Sequence, residues 1–166
     1  MARIRVRRTV RASVDDVWDA LADIPSHVEW MADARGIRFV SAQRHGVGTT
    51  FDCDTKVGPL RLTDRMEVTE WAPRRRLRVR HTGIVTGEGA FSIERRRRGR
   101  TLLTWEEALR FPWWLPSLPA ALVLRVIWIG NLRRFERSLP VGVRRRHVGI
   151  RGLGLGRGHA RGRRLH

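Results

Sequence analysis

Apolar and charged residues alternate from the start of the chain: Ile4, Val6 and Val10 are interleaved with Arg3, Arg5 and Arg7, the period of two expected of a half-buried strand. The period then lengthens. Ser13-Val14-Asp15-Asp16 offers an N-cap hydroxyl and a carboxylate three positions later, a capping box, and Val14, Val17, Trp18 and Leu21 follow at helical spacing. Asp23-Ile24-Pro25 ends this first helix, and Ser26 to Met31 predicts a second, short one centred on Trp30.

From Ile37 to Leu109 the pattern is that of successive strands separated by turn residues. Gly46-Val47-Gly48 precedes a strand at Thr49 to Val57, Gly58-Pro59 turns the chain, and Leu60 to Trp71 returns as the second arm of a hairpin. Further strands are expected at Leu77 to Thr82, Ala90 to Arg95 and Thr101 to Leu109. The breaks between them fall at Ala72-Pro73-Arg74, at Gly83 to Gly87 and at Arg98-Gly99-Arg100. Loops this short require antiparallel neighbours.

After Phe111-Pro112 an apolar run leads into a long helix predicted from Pro119 to Ser138. Leu124, Trp128, Leu132 and Phe135 form one stripe, with Arg133, Arg134 and Arg137 opposite. A membrane span needs roughly 20 uninterrupted apolar residues; Pro116, Pro119 and Arg125 interrupt this run, so it reads as a core helix clamped on a sheet. Past Pro140 the composition collapses to Gly and Arg, without the apolar area needed to offset ordering entropy. Residues 1–140 are therefore expected to form one domain, and residues 141–166 a disordered tail.

Charge sharpens this division. Of 34 basic residues, eight lie in the last 26 positions, which hold no acid; the remaining 26 face all 16 acidic residues before Pro140, so the formal +18 divides into +10 and +8. An Arg-rich, Gly-spaced tail can neutralise phosphates without reading sequence, which makes non-specific nucleic acid or an anionic membrane a possible partner of the tail rather than of the domain. One cysteine, Cys53, excludes an intramolecular disulfide framework and is consistent with a reducing cytoplasm. The N-terminus has positive charge but no apolar run of signal-peptide length behind it.

In order, the elements are a strand, two short helices, six antiparallel strands and a long helix. The residues Val10 to Trp18, His27-Val28-Glu29-Trp30, Gly46-Val47-Gly48-Thr49, Val68 to Leu77, Leu103-Thr104-Trp105 and Asn131 to Phe135 carry a resemblance to the START-like, polyketide cyclase/dehydrase (SRPBCC) superfamily. The resemblance covers residues 3–139. It implies an α+β helix-grip (START/Bet v 1-like) fold, in which a curved antiparallel sheet wraps around the C-terminal helix and a deep, largely apolar cavity lies between them. It also implies a ligand class, a lipid, isoprenoid or polyketide-like molecule, without fixing a reaction.

Strand alternation sorts the side chains that would face such a cavity. Phe51, Cys53 and Val57 share a face, as do Leu60, Leu62, Met66 and Val68, and Asp64 falls in the same register. Leu77 and Val79 bring His81 to their face; Leu103, Trp105 and Leu109 bring Glu107 to theirs. Asp64, His81 and Glu107 are thus candidate acid/base groups for an aromatase/cyclase-type reaction on an enolisable ligand, although inward polar residues are also commonly just hydrogen-bonded to backbone. The expected cavity wall is Trp30, Phe51, Met66, Val79, His81, Phe91, Trp105, Leu124 and Trp128.

Trp113 and Trp114, just before the last helix, either cover its N-terminus or, if exposed, dock a basic carrier on an anionic bilayer at the inner membrane surface. Cys53 has no neighbouring base and reads as a small core residue. The six histidines include no pair at ligand spacing with a third partner, and the glycine run at Gly152 to Gly156 has no strand before it or helix after it. No metal and no cofactor are expected.

Overall fold

The computed structural model describes residues 1–114 and 117–140; the Arg/Gly-rich tail, with the partners expected of it, lies outside the described residues. Strand β1 (Ala2–Val10) leads into α1 (Val14–Ala22), a 3-10 turn at Ile24–Ser26 and α2 (His27–Trp30). Six strands follow: β2 (Ala34–Phe39), β3 (Thr50–Val57), β4 (Leu60–Ala72), β5 (Arg76–Thr82), β6 (Thr86–Arg96) and β7 (Arg100–Arg110). The chain then enters α3 (Ser117–Ser138).

The capping box forms as the sequence predicts. The Ser13 hydroxyl accepts from the Asp16 backbone N–H at 3.1 Å and the Asp16 carboxylate accepts from the Ser13 N–H at 3.4 Å, satisfying donors the helix itself cannot use. A ten-residue loop joins β2 to β3 and short turns join β3 to β7 in an antiparallel meander, and β1 closes the series against β7, so the seven strands run in the order β1-β7-β6-β5-β4-β3-β2. The α1–α2 segment carries the chain from one sheet edge to the other. Helix α3 packs against β1 and α2, giving the helix-grip arrangement of a curved sheet around its last helix.

Two positions depart from the sequence expectation. The break expected at Gly83 to Gly87 ends earlier and the strand expected from Ala90 starts sooner: β6 begins at Thr86, and Gly87 and Gly89 both pair within it. The missing side chains matter here, as the site shows, and Gly87 also takes a positive φ that favours glycine. Second, apart from Arg125 the outward face of the first three turns of α3 is apolar, and it becomes polar in the last turns. Arg133, Arg134 and Arg137 are exposed there, whereas Leu118 is 79% and Val126 70% exposed in the first three turns.

The buried layer between sheet and helix is aromatic. Trp105 stacks on Trp128 of α3 at 4.5 Å with an interplanar angle of 21°, and Trp30 meets Phe135 edge-on at 5.0 Å. Removing one such side chain from water contributes about 1.5–3 kcal/mol, so these contacts hold the helix to the sheet. A bulge between Val68 and Glu70 of β4 turns Trp71 inward against Trp18, 5.4 Å away. The bulge follows Val68, so the register of Asp64, Met66 and Val68 is undisturbed.

Candidate functional site

Asp64, His81 and Glu107 come together on three different strands. The β4–β5 register pairs Met66 with His81, which leaves Asp64 diagonal to the imidazole on the same face, within reach of a long side-chain pair. The His81 Nδ1 hydrogen bonds to Asp64 Oδ2. Glu107 is on β7, separated from β5 by the whole of β6, a gap that facing side chains would normally fill.

They do not fill it because the facing residues are Gly87 and Gly89, opposite His81 and Glu107 respectively. The imidazole Nε2 therefore reaches Glu107 Oε2 at 3.1 Å across the intervening strand. A Cβ on Gly89 would lie 2.3 Å from Glu107 Oε1; one on Gly87, whose φ is +144°, would lie 2.0 Å from the Ala108 carbonyl oxygen. The other Glu107 oxygen accepts the Trp105 indole N–H at 2.9 Å, from the same face of β7 two residues earlier.

An imidazole that donates from both nitrogens is protonated, and the surroundings favour that form. Burial alone would push the His81 pKa down, but the hydrogen bonds and charges of Asp64 and Glu107 outweigh it and raise the pKa to about 10. His27, equally buried, is the opposite case: burial takes it down to about 4, and its Nε2–H donates to the Leu21 carbonyl at 2.9 Å.

The Asp64–His81–Glu107 chain forms part of the wall of a cavity of about 360 Å³ between the sheet and the N-terminal half of α3. The rest of the wall is largely apolar: Val57, Leu60 and Leu62 of the β3–β4 hairpin, Leu109 of β7 and Phe111 just after it, and Val123, Leu124 and Trp128 of α3. Of the expected wall residues, His81, Trp105, Leu124 and Trp128 line it. Trp30, Phe51, Met66, Val79 and Phe91 do not; they belong to the packed half of the grip, where Trp30 wedges between Phe91 at 6.1 Å and Phe135 at 5.0 Å and closes the space.

Two polar residues of this region escaped the sequence reading. Asp33 follows α2, is buried, and lines the cavity. Asn131 of α3, fully buried, donates from Nδ2 to Asp33 Oδ1 at 2.7 Å and accepts the Ala32 N–H at 2.9 Å. An amide on the buried stripe of an apolar helix was a usable signal for a partner; Asp33, in a short connection, had none.

Cys53 is buried, with burial raising its thiol to about 11, so it is not poised as a nucleophile. Both His81 nitrogens already face carboxylates, leaving neither to ligate a metal. No group of three or more His, Cys, Asp or Glu arranged to hold a metal occurs among the described residues.

Residues 1–139 match the family of polyketide cyclases/dehydrases and lipid transport proteins. The chain belongs to this family. Similar solved structures agree with the assignment at the level of fold. A START superfamily protein from Mycobacterium smegmatis shares 13% identity, with 82% of this chain and 96% of that one covered and a TM-score of 0.72. A Thermus thermophilus protein shares 18% identity over 82% and 95% of the two chains, TM-score 0.66. The Zhui aromatase/cyclase from a Streptomyces species shares 18% over 82% and 92%, TM-score 0.64. No curated protein sequence matches the chain.

Proposed function

We propose that this protein binds or carries a small apolar ligand, a lipid, isoprenoid or polyketide-like molecule, in the cavity between the sheet and α3. The observation that carries the reading is the cavity itself: about 360 Å³, mostly apolar walls, and a buried polar cluster at one side. That is the usual make-up of a small-molecule site, with apolar area for affinity and a few fixed polar groups for orientation. Native mass spectrometry of the purified protein is expected to show a co-purified apolar adduct. An uncharged dye such as Nile red should fluoresce on binding and be excluded when Ala120→Trp and Val123→Trp fill the cavity; binding that survives both substitutions places the dye elsewhere and removes the support.

The second reading is an aromatase/cyclase-type enzyme with Asp64, His81 and Glu107 moving protons. Their position on the cavity wall favours it. The protonation state does not: a general acid/base works best with a pKa near the operating pH, and His81 at about 10, donating to two carboxylates, is held in one form. Asp64→Asn, His81→Gln and Glu107→Gln together should abolish turnover of a polyketide substrate if these groups are catalytic; ligand binding without any turnover in the unmodified protein supports the carrier.

Delivery to an anionic bilayer from its cytoplasmic side fits the same carrier. Trp113 is 95% and Trp114 47% exposed, in sequence between Phe111, which lines the cavity, and the exposed apolar turns of α3, on a chain of net charge +18. No described helix is long and apolar enough to cross a membrane, so contact would be peripheral. Trp113→Ala with Trp114→Ala should weaken sedimentation with anionic liposomes, and deleting residues 141–166 should remove any salt-sensitive binding to liposomes or DNA that the tail contributes.

A further inference from the structure

The chain is strongly basic, but among the described residues no Arg or Lys lines the cavity. Its polar lining consists of Asp33, Thr55, Asp64, His81, Trp105 and Glu107, three carboxylates against one imidazole. The donors among them are almost all engaged. Both His81 N–H groups face carboxylates and the Trp105 indole N–H goes to Glu107; the Thr55 hydroxyl, 3.8 Å from the Cys53 sulfur, is the remaining one.

The acceptors are not exhausted. Asp33 is 7% exposed, and one of its oxygens accepts from Asn131, while the other takes no hydrogen bond from any described residue. Because the Ala32 N–H fixes the Asn131 carbonyl, the amide can present only its NH2 to Asp33, which holds the carboxylate as an acceptor at the cavity. An anionic ligand head would enter beside three carboxylates with, among the described residues, no lining cation and almost no free donor to receive it, and burying a charge without a partner is costly. A donor or a cation would find the reverse.

Building on the apolar-ligand reading above, we infer that the cavity selects an apolar molecule whose polar end donates hydrogen bonds or carries positive charge, a long-chain amine ahead of an alcohol, and rejects carboxylate and phosphate heads. Asp33 is the residue that reads the head group, positioned by Asn131. Glu107 and Asp64, already hydrogen-bonded to His81, add negative potential along the same wall.

Displacement of Nile red by dodecylamine, dodecanol and dodecanoate tests this. It is run in about 0.5 M NaCl, where the Debye length shrinks to a few ångströms and surface charge no longer decides the outcome. Dodecylamine is expected to displace the dye at a concentration at least about ten-fold below that of dodecanoate, a difference of about 1.4 kcal/mol, with dodecanol between them. Asp33→Asn, nearly isosteric, should narrow the amine-to-carboxylate ratio, each competitor being read against the Nile red affinity of the same variant. Equal displacement by the three, a preference for dodecanoate, or a ratio untouched by Asp33→Asn in a folded variant overturns the inference and leaves the carrier reading standing. A dye that never enters the cavity defeats both readings, and does so before any competitor is added.

Discussion

Two buried histidines divide the interior of this protein into two environments. His27 and His81 are 7% and 8% exposed, so desolvation acts on both alike. His27 lies in the packed half, its ring 5.0 Å from Trp30 and 6.3 Å from Phe91, with a backbone carbonyl as its hydrogen-bond partner; its pKa falls to about 4. His81 lies at the cavity, between Asp64 and Glu107, and its pKa rises to about 10. Burial alone does not set the charge of an interior group. What decides it is whether the surrounding strands bring an opposite charge within hydrogen-bond reach.

Removing that charge is the strongest test of the contrast. Asp64→Asn with Glu107→Gln leaves His81 with burial and neutral partners, as His27 has. Its pKa is then expected to fall from about 10 to below 6.5, a change large enough for NMR titration of the ring resonances to read directly. A His81 that stays protonated at pH 8 in the double variant would show that something other than the two carboxylates holds the proton.

The same two residues predict opposite limbs of a stability profile. His81 has a folded pKa raised above its unfolded value of 6.5, so its contribution is fully present below about pH 6.5 and is lost as pH climbs through about 10. His27 has a depressed folded pKa, so its contribution is present above 6.5 and lost as pH falls toward about 4. A tenfold difference in proton affinity between the folded and unfolded chain is worth about 1.4 kcal/mol, so each limb should amount to a few kcal/mol. Urea unfolding across the pH range checks both; His81→Gln should flatten the alkaline limb and His27→Asn the acid one.

A subtler perturbation leaves every titrating group in place. Gly89→Ala puts a methyl where the Glu107 carboxylate now sits, so it should cost about 1–3 kcal/mol and lower the His81 pKa as Glu107 moves away. His27 should not respond. A variant that destabilises without moving the His81 titration would mean the glycine serves only the backbone of β6. Smallest of all, Ser13→Ala should cost about 1 kcal/mol in thermal unfolding through loss of the capping box, and change neither histidine.

Much of this architecture is legible before any coordinates. The period-two runs and short turns lead to the meander, the Ser13–Asp16 box marks α1, and the Leu124, Trp128, Leu132 and Phe135 stripe identifies the face α3 buries. Alternation even places Asp64, His81 and Glu107 inward, because side-chain direction along a strand is a local property with a period of two.

The partnerships were decided elsewhere. Nothing local distinguishes Gly87 and Gly89 as turn residues from the same glycines as a gap in β6 through which His81 reaches Glu107; that depends on the cross-strand register of three strands. Likewise, α2 is visible in the sequence, but only its docking beneath α3 makes Trp30 a plug rather than a cavity wall and brings Asp33 to Asn131. Patterning is fixed by the geometry of one segment at a time. Charge state, cavity shape and head-group chemistry arise from atoms tens of residues apart, and the energy of burying them depends on which ones meet.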